Sequence, residues 1–388
     1  MECAHLARFL TMNDFELKGN PEGADLLILY ACGLTQLDAQ VSIDVLEQLQ
    51  NKRRARSEFL VWGCLPKIDP ELVAKTHKGP SFGRREIHKL EELVGSKVKY
   101  DEITVNSLFP ESENLRRIRS NYEPDRFTYL LEEINHQIRQ ETASIVAPDI
   151  FYIMVARGCL GNCSYCSDLR SCGRLESKSI EKVASELKQG LAQGFRRFLL
   201  VTTDLGVYGK DYGYDLSHLL RELTRNQEDY ELLLPNVNPQ SLNEMFEDLK
   251  GVLKLGKIGL LGVPVQSGSD RILDAMGRKY SVEDFEECIS AIKRDFPKVV
   301  VWTQLMVGFP GETEEDFGAT MKLLDEIGLD YVQVFRFSRR PTTPASYFTN
   351  QVPEPVSLNR YQKLLAKAIY KALCEKIGDH SLRAVNAR

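Results

Sequence analysis

The chain has 388 residues, nine of them Cys, and its 50 Lys and Arg against 55 Asp and Glu give a net charge of −5. Such a length calls for two domains or one large barrel with an appendage, and the acidic balance argues against a whole-chain electrostatic footprint for nucleic acid. No apolar stretch reaches about 18 residues, which excludes a membrane-spanning helix; nine thiols without an apolar leader point to a reducing, cytoplasmic setting where Cys serves metals or chemistry.

In chain order, residues 26–30 and 59–62 are short apolar runs, each followed at once by a Cys-containing turn, Ala31-Cys32-Gly33 and Gly63-Cys64. Between them residues 36–50 read as an amphipathic helix, with Leu37, Val41, Val45, Leu46 and Leu49 near one face. Strand, helix, strand makes a small α/β domain over 1–95, with two cysteines at the carboxyl ends of parallel strands, where open α/β sheets place ligands. Residues 96–148 are charged, punctuated by Asn and Pro, and read as a connector with one or two helices. Its basic run Arg116-Arg117-Ile118-Arg119, like Lys52-Arg53-Arg54-Ala55-Arg56 upstream, reads as a solvated helix face.

From residue 151 the pattern alternates. Strand 151–155 is followed by a Cys-rich loop, helix 179–193, strand 198–202, then a helix, a strand, strand 258–265, helix 282–294, strand 299–306, helix 314–327 and strand 331–335. Alternating βα units over 149–345 call for a parallel sheet, partly or fully closed into a (β/α) barrel, with functional loops at the strands' carboxyl ends. Residues 346–388 add a helical extension, with a helix over 358–376.

The Cys-rich loop carries the chemistry. Cys159, Cys163 and Cys166 stand at C-x3-C-x2-C spacing, one thiol short of a tetrahedral set. A 4Fe–4S cluster held by three thiolates leaves one iron with an open position, whereas zinc sites normally close with four protein ligands and a disulfide framework needs even pairing. Further strand-terminal turns follow at Val265-Gln266-Ser267-Gly268-Ser269-Asp270 and Val307-Gly308-Phe309-Pro310-Gly311-Glu312-Thr313. There Gly308 and Gly311 would let backbone approach a ligand, and the helix starting at 314 offers N–H groups to an anion. Cys172, Cys288 and Cys374 read as small buried hydrophobes.

Ordered segments from Gly158-Cys159-x3-Cys163-Ser164-Tyr165-Cys166 through Pro264-Val265-Gln266-Ser267-Gly268-Ser269-Asp270 and Val307-Gly308-Phe309-Pro310-Gly311-Glu312-Thr313 to Phe335-x-Phe337-Ser338-x-Arg340-Pro341-x-Thr343-Pro344-Ala345 resemble the radical S-adenosylmethionine (SAM) domain of the methylthiotransferases. Ala24-Asp25-Leu26-x3-Tyr30-Ala31-Cys32 and Val61-Trp62-Gly63-Cys64-Leu65 resemble that family's first domain. The resemblance implies an α/β fold with a radical SAM barrel, SAM and two 4Fe–4S clusters, one held by Cys159, Cys163 and Cys166 and the other by Cys3, Cys32 and Cys64. It implies that Tyr165, Thr202, Thr203, Asp204, Gln266, Ser267, Val307 and Gly308 bind SAM, and that Arg278 or Arg336 faces an anionic substrate group or forms a structural ion pair.

Two departures shape the expectation. After the cluster the family pattern Pro-x2-Arg-Gly-x3-Ser-Arg is replaced by Leu169-Arg170-Ser171-Cys172-Gly173-Arg174-Leu175-Glu176-Ser177-Lys178, and Arg to Lys is not a neutral change at a carboxylate site. The small β-barrel that usually ends such chains is not expected after residue 346. With the acidic balance, this favours a small-molecule or peptide substrate over nucleic acid. An external one-electron reductant of flavodoxin or ferredoxin type is implied. The leading reading is C–S bond formation by methylthiolation or sulfur insertion. The alternatives are methylthiolation of tRNA or a ribosomal protein, a radical SAM enzyme whose second cluster only carries electrons, and a non-catalytic iron–sulfur or zinc protein.

Overall fold

The computed structural model describes residues 1–108 and 125–386; the basic run at 116–119 lies outside them. The chain divides into two compact units: one of Met1–Tyr122, Arg157–Glu176 and Ser338–Ser346, the other of Glu123–Ala156, Ser177–Phe337 and Tyr347–Arg388. The Cys-rich loop, expected within the barrel, therefore groups with the amino-terminal residues.

The first unit is built on a parallel three-stranded sheet, β1 (Leu26–Ala31), β2 (Glu58–Gly63) and β3 (Ser81–Gly83), with β2 in the middle. Helix α1 (Glu2–Met12) precedes them and α2 (Gln36–Lys52) joins β1 to β2. Phe59, Leu60, Val61 and Trp62 are all buried, as a strand covered on both faces requires. One face packs Leu60, Trp62 and Phe82 against Phe9 and Leu10 of α1. The other packs Phe59 and Val61 against Ala39, Ile43 and Leu46 of α2. A capping box fixes where α2 begins: Thr35 Oγ1 accepts from Asp38 N at 3.0 Å, and Thr35 N donates back to Asp38 Oδ2 at 3.2 Å. The exposed Arg54 and Arg56 past its far end agree with a solvated basic run.

The second unit holds six parallel strands, β4 (Ile150–Met154), β5 (Arg197–Val201), β6 (Glu231–Leu234), β7 (Ile258–Gly262), β8 (Val300–Val307) and β9 (Tyr331–Arg336), lying side by side in sequence order. β4 and β9 are its two edges, so the sheet is the partial form of the expected barrel. Helices Ile180–Ala192, Val282–Asp295 and Glu314–Glu326 fall where their periodicity put them. Strand β7 stops short of the expected 258–265 because Pro264 cannot donate to the ladder, although Val263 and Val265 remain buried.

The carboxyl-terminal helix α3 runs over Glu354–Asn386 and has Pro355 in its first turn, where a missing N–H costs nothing. Its Arg360 is buried and donates through Nη1 to Glu312 Oε2 at 2.8 Å and through Nη2 to Glu314 Oε1 at 2.6 Å. Glu312 Oε2 also accepts from Gly308 N at 2.8 Å, so this ion pair anchors the turn after β8. Arg360→Met strands a buried carboxylate. It is expected to cost about 3–5 kcal/mol, read as a lower denaturant midpoint with unchanged slope.

Candidate functional site

In the first unit the register of β1 on β2 sets Ala31 beside Gly63, so Cys32 and Cys64 leave the sheet next to each other. Cys64 N donates to Ala31 O at 3.0 Å. Arg84, directly after β3, lies at the same edge. Its Nη2 donates to Glu2 Oε1 at 2.7 Å, which ties down the start of α1, where Cys3 stands next to Glu2. Its Nη1 lies 4.0 Å from Cys64 Sγ and 3.0 Å from Cys172 Sγ. Burial opposes ionisation of Glu2, but the Arg84 guanidinium outweighs it and lowers the carboxyl below its ordinary range. Tyr30 adds a hydroxyl 3.9 Å from Cys64 Sγ.

The loop 157–176 is held in this unit by Arg84 and its neighbour Arg85. Arg85 Nε donates to Cys172 O and its Nη2 to Arg174 O, both at 2.6 Å. Gly158 has φ +79°, and a Cβ there would sit 2.1 Å from Arg174 O; only glycine lets the two ends of the loop close. Inside the loop Gly161 N donates to Cys159 Sγ at 3.1 Å and Asp168 N to Cys166 Sγ at 3.4 Å. A Cβ on Gly161 would meet the sulfurs of Cys159 and Cys163 at 3.3 and 3.8 Å. Burial, with the Asp168 carboxylate adding, pushes the Cys166 thiol up. Tyr165 is half-buried beside it.

These residues fit an iron–sulfur cluster. The donors are thiols, none of the nine Cys is joined in a disulfide, and backbone N–H groups point at two of the sulfurs, the arrangement that tunes cluster potential. Among the described residues no three His, Cys, Asp or Glu converge tightly enough to hold a single metal ion. A cubane instead spreads its thiolates over separate corners. Cys172 is buried as expected, but it takes a hydrogen bond from a guanidinium and is no apolar filler. Cys288 is buried and donates to Asn243 Oδ1 at 2.9 Å, while Cys374 is exposed, contrary to expectation. Helix α3 buries Leu364, Leu365, Ala368 and Ile369, and Cys374 falls on its other side.

In the second unit the expected SAM-binding residues stand at the carboxyl ends of strands. After β5, Thr202 Oγ1 is buried without a hydrogen-bond partner, an orphan donor of the kind a ligand satisfies. Asp204 is already engaged, its Oδ1 accepting from Gly206 N at 2.9 Å, and burial raises its carboxyl; the neighbouring Thr203 receives the Asn236 amide on its carbonyl. Gln266 has φ +74°, a rare conformation for a side-chain-bearing residue and one concentrated at functional sites. It is held by Gln266 N to Gln304 O at 2.8 Å. Ser267 is fully buried and packs its hydroxyl 3.4 Å from Thr320 Oγ1. Val307 is buried, and Gly308, at φ +74°, makes room for Ser357, whose Oγ would lie 2.4 Å from a Cβ. The glycine there is explained by helix packing. The helix start at 314 is likewise closed to an anion: Thr313 Oγ1 caps Asp316 N at 3.3 Å, and Asp316 also pairs with Arg271. Arg336 pairs with Glu354, and Lys178 with Glu186 at 2.5 Å.

Sequence reasoning missed Arg84 and Arg85. Their position just past a strand end at the cysteine-bearing edge was the available signal.

The fold and the thiol loop define a class. Residues 153–324 match the radical SAM superfamily, and residues 1–82 match a family described as uncharacterized protein family UPF0004. A solved structure of the radical SAM methyltransferase TsrM from Kitasatospora setae superposes with a TM-score of 0.57 over 89% of this chain and 66% of that one, at 14% identity, a likeness of fold.

The particular family follows from its relatives. A probable threonylcarbamoyladenosine tRNA methylthiotransferase of Archaeoglobus fulgidus is 30% identical over 92% of this chain and 78% of that protein. The ribosomal protein uS12 methylthiotransferase RimO of Clostridium botulinum is 30% identical over 91% and 75%. The chain belongs to the radical SAM methylthiotransferases, enzymes that work with SAM and two 4Fe–4S clusters. These relatives act on tRNA or on a ribosomal protein, which overturns the expectation of a small-molecule or peptide substrate with nucleic acid disfavoured. A net charge summed over the whole chain says nothing about the local surface that meets a macromolecule. No helix among the described residues is long and apolar enough to cross a membrane.

Proposed function

We propose that the protein transfers a methylthio group to an adenosine of tRNA that carries a threonylcarbamoyl group. The observation behind this reading is the company the cysteines keep. Cys159, Cys163 and Cys166 from one loop share a compact unit with Cys3, Cys32 and Cys64 from three separate elements, in a chain related to tRNA methylthiotransferases. Cys159, Cys163 and Cys166 would hold the cluster that meets SAM, and Cys3, Cys32 and Cys64 the one that presents sulfur. When bound, these groups supply a primary carbon radical able to take hydrogen from an unactivated carbon, and the sulfur that replaces it.

The chain's own part is to hold and shield. The N–H groups of Gly161 and Asp168 donate to thiolates, and the Gly158 closure keeps the loop compact. Arg84 places a buried positive charge beside Cys64. Thr202, Thr203, Asp204 and Gln266 offer polar groups to SAM, with the unpartnered Thr202 hydroxyl the best placed to donate. Tyr165 would pack on its adenine.

The test is to incubate anaerobically reconstituted protein with SAM, dithionite and tRNA bearing threonylcarbamoyladenosine, then digest the tRNA and weigh its nucleosides. A methylthio gain on that nucleoside supports the proposal. A methylthio gain on added uS12 instead moves the substrate to the ribosomal protein, the reading that the RimO relatives favour. Formation of 5′-deoxyadenosine with neither product overturns sulfur transfer to these substrates.

A further inference from the structure

The segment Ser338–Ser346 belongs to the cysteine-bearing unit, far along the chain from the rest of it. It is pinned at both ends. Ser338 Oγ accepts from Gln36 N at 2.8 Å, at the start of the helix that follows Cys32, and Ala345 N donates to Ser164 O at 2.8 Å, between Cys163 and Cys166. Thr343 closes the turn by donating its N and Oγ1 to Arg340 O, both at 3.0 Å. The strap thus runs from one cysteine set to the other.

Arg340, within the strap, is only 3% exposed, and its Nε and Nη2 are buried without any hydrogen-bond partner. A buried guanidinium with two unmatched nitrogens is costly, and Arg keeps its charge under all ordinary conditions. The ionisable groups acting on it are Asp69, Asp38 and Cys32. Asp69 Oδ1 caps the helix Pro70–Thr76 through Leu72 N at 3.1 Å, and Asp38 Oδ2 accepts from Thr35 Oγ1 at 2.7 Å. Each carboxylate holds a helix start through one oxygen and neither accepts from Arg340 Nε or Nη2, and the remaining anion acting on the guanidinium is the Cys32 thiolate with whatever it ligates.

We infer that Arg340 is a positioning residue that supplies the counter-charge to the anionic thiolate-ligated centre at Cys32, setting its affinity and its reduction potential. This rests on the proposed assignment of Cys3, Cys32 and Cys64 to a cluster. A fixed cation beside such a centre favours the electron-rich state, as outer-shell partners do at other metal sites.

The experiment uses the full chain with Cys159, Cys163 and Cys166 all replaced by Ala, so that the amino-terminal centre is observed alone, and compares Arg340 with R340K and R340M after anaerobic reconstitution. Iron content and a dye-mediated redox titration followed by electron paramagnetic resonance are the readouts. R340M is expected to lower the reduced-to-oxidised ratio at fixed solution potential about tenfold, which is about 59 mV for one electron, while R340K stays within about threefold of the parent. Iron lost in R340M and kept in R340K also supports the role, since charge is then what holds the centre. Coincident titrations of parent and R340M, or equal loss in both variants, overturn it. A parent that binds no iron overturns the cluster assignment itself, and the inference with it.

Discussion

Cys163→Ala protein, loaded with iron and sulfide under argon, is expected to lose reductive SAM cleavage while keeping about half of its iron. The loop 157–176 holds its three thiols by local geometry: the Gly158 closure, the Gly161 approach to two sulfurs and the N–H bonds to Cys159 and Cys166. Removing one thiol leaves two, too few for a cubane that already lacks its fourth protein ligand. Loss of a mere outer-shell partner costs a metal site roughly 10–100-fold, so loss of a ligand should cut 5′-deoxyadenosine formation by at least that upper figure. Wild-type rates from the variant would remove the loop from the chemistry.

Cys64→Ala should separate the two halves of the reaction. Cys64 lies beside Cys32 at the sheet edge, under Arg84 and Tyr30. Its loss should drop iron from about eight to about four per chain, one cubane's worth. SAM cleavage should persist and the methylthio product should vanish. Unchanged iron, or a product still carrying sulfur, would sink the role given to the amino-terminal cysteines.

The thiol loop was legible because its signal is local: ligands three and four residues apart are written in the sequence itself. Most strands and helices were legible for the same reason, as alternating apolar runs of the right period with turns between them. What sequence alone could not show was long-range return. Nothing in residues 338–346 says that they join Gln36 to Ser164, or that Arg340 is buried; an Arg in a polar, Pro-rich run reads as surface. Gly308 was read as space for a ligand, whereas Ser357, far along the chain, fills the space in front of it. The substrate expectation failed for a different reason. It was drawn from total charge and from the chain's end, neither of which describes a contact surface.

The cysteine-bearing unit is assembled from three stretches separated by most of the polypeptide. During synthesis Cys3, Cys32 and Cys64 emerge early, but the strap Ser338–Ser346 that completes their unit is added only much later, and at roughly 5–20 residues per second that delay runs to tens of seconds. On the proposed assignment of a cluster to the amino-terminal thiols, its insertion would be a late event in the life of the nascent polypeptide, and until then those thiols would need protection from oxidation.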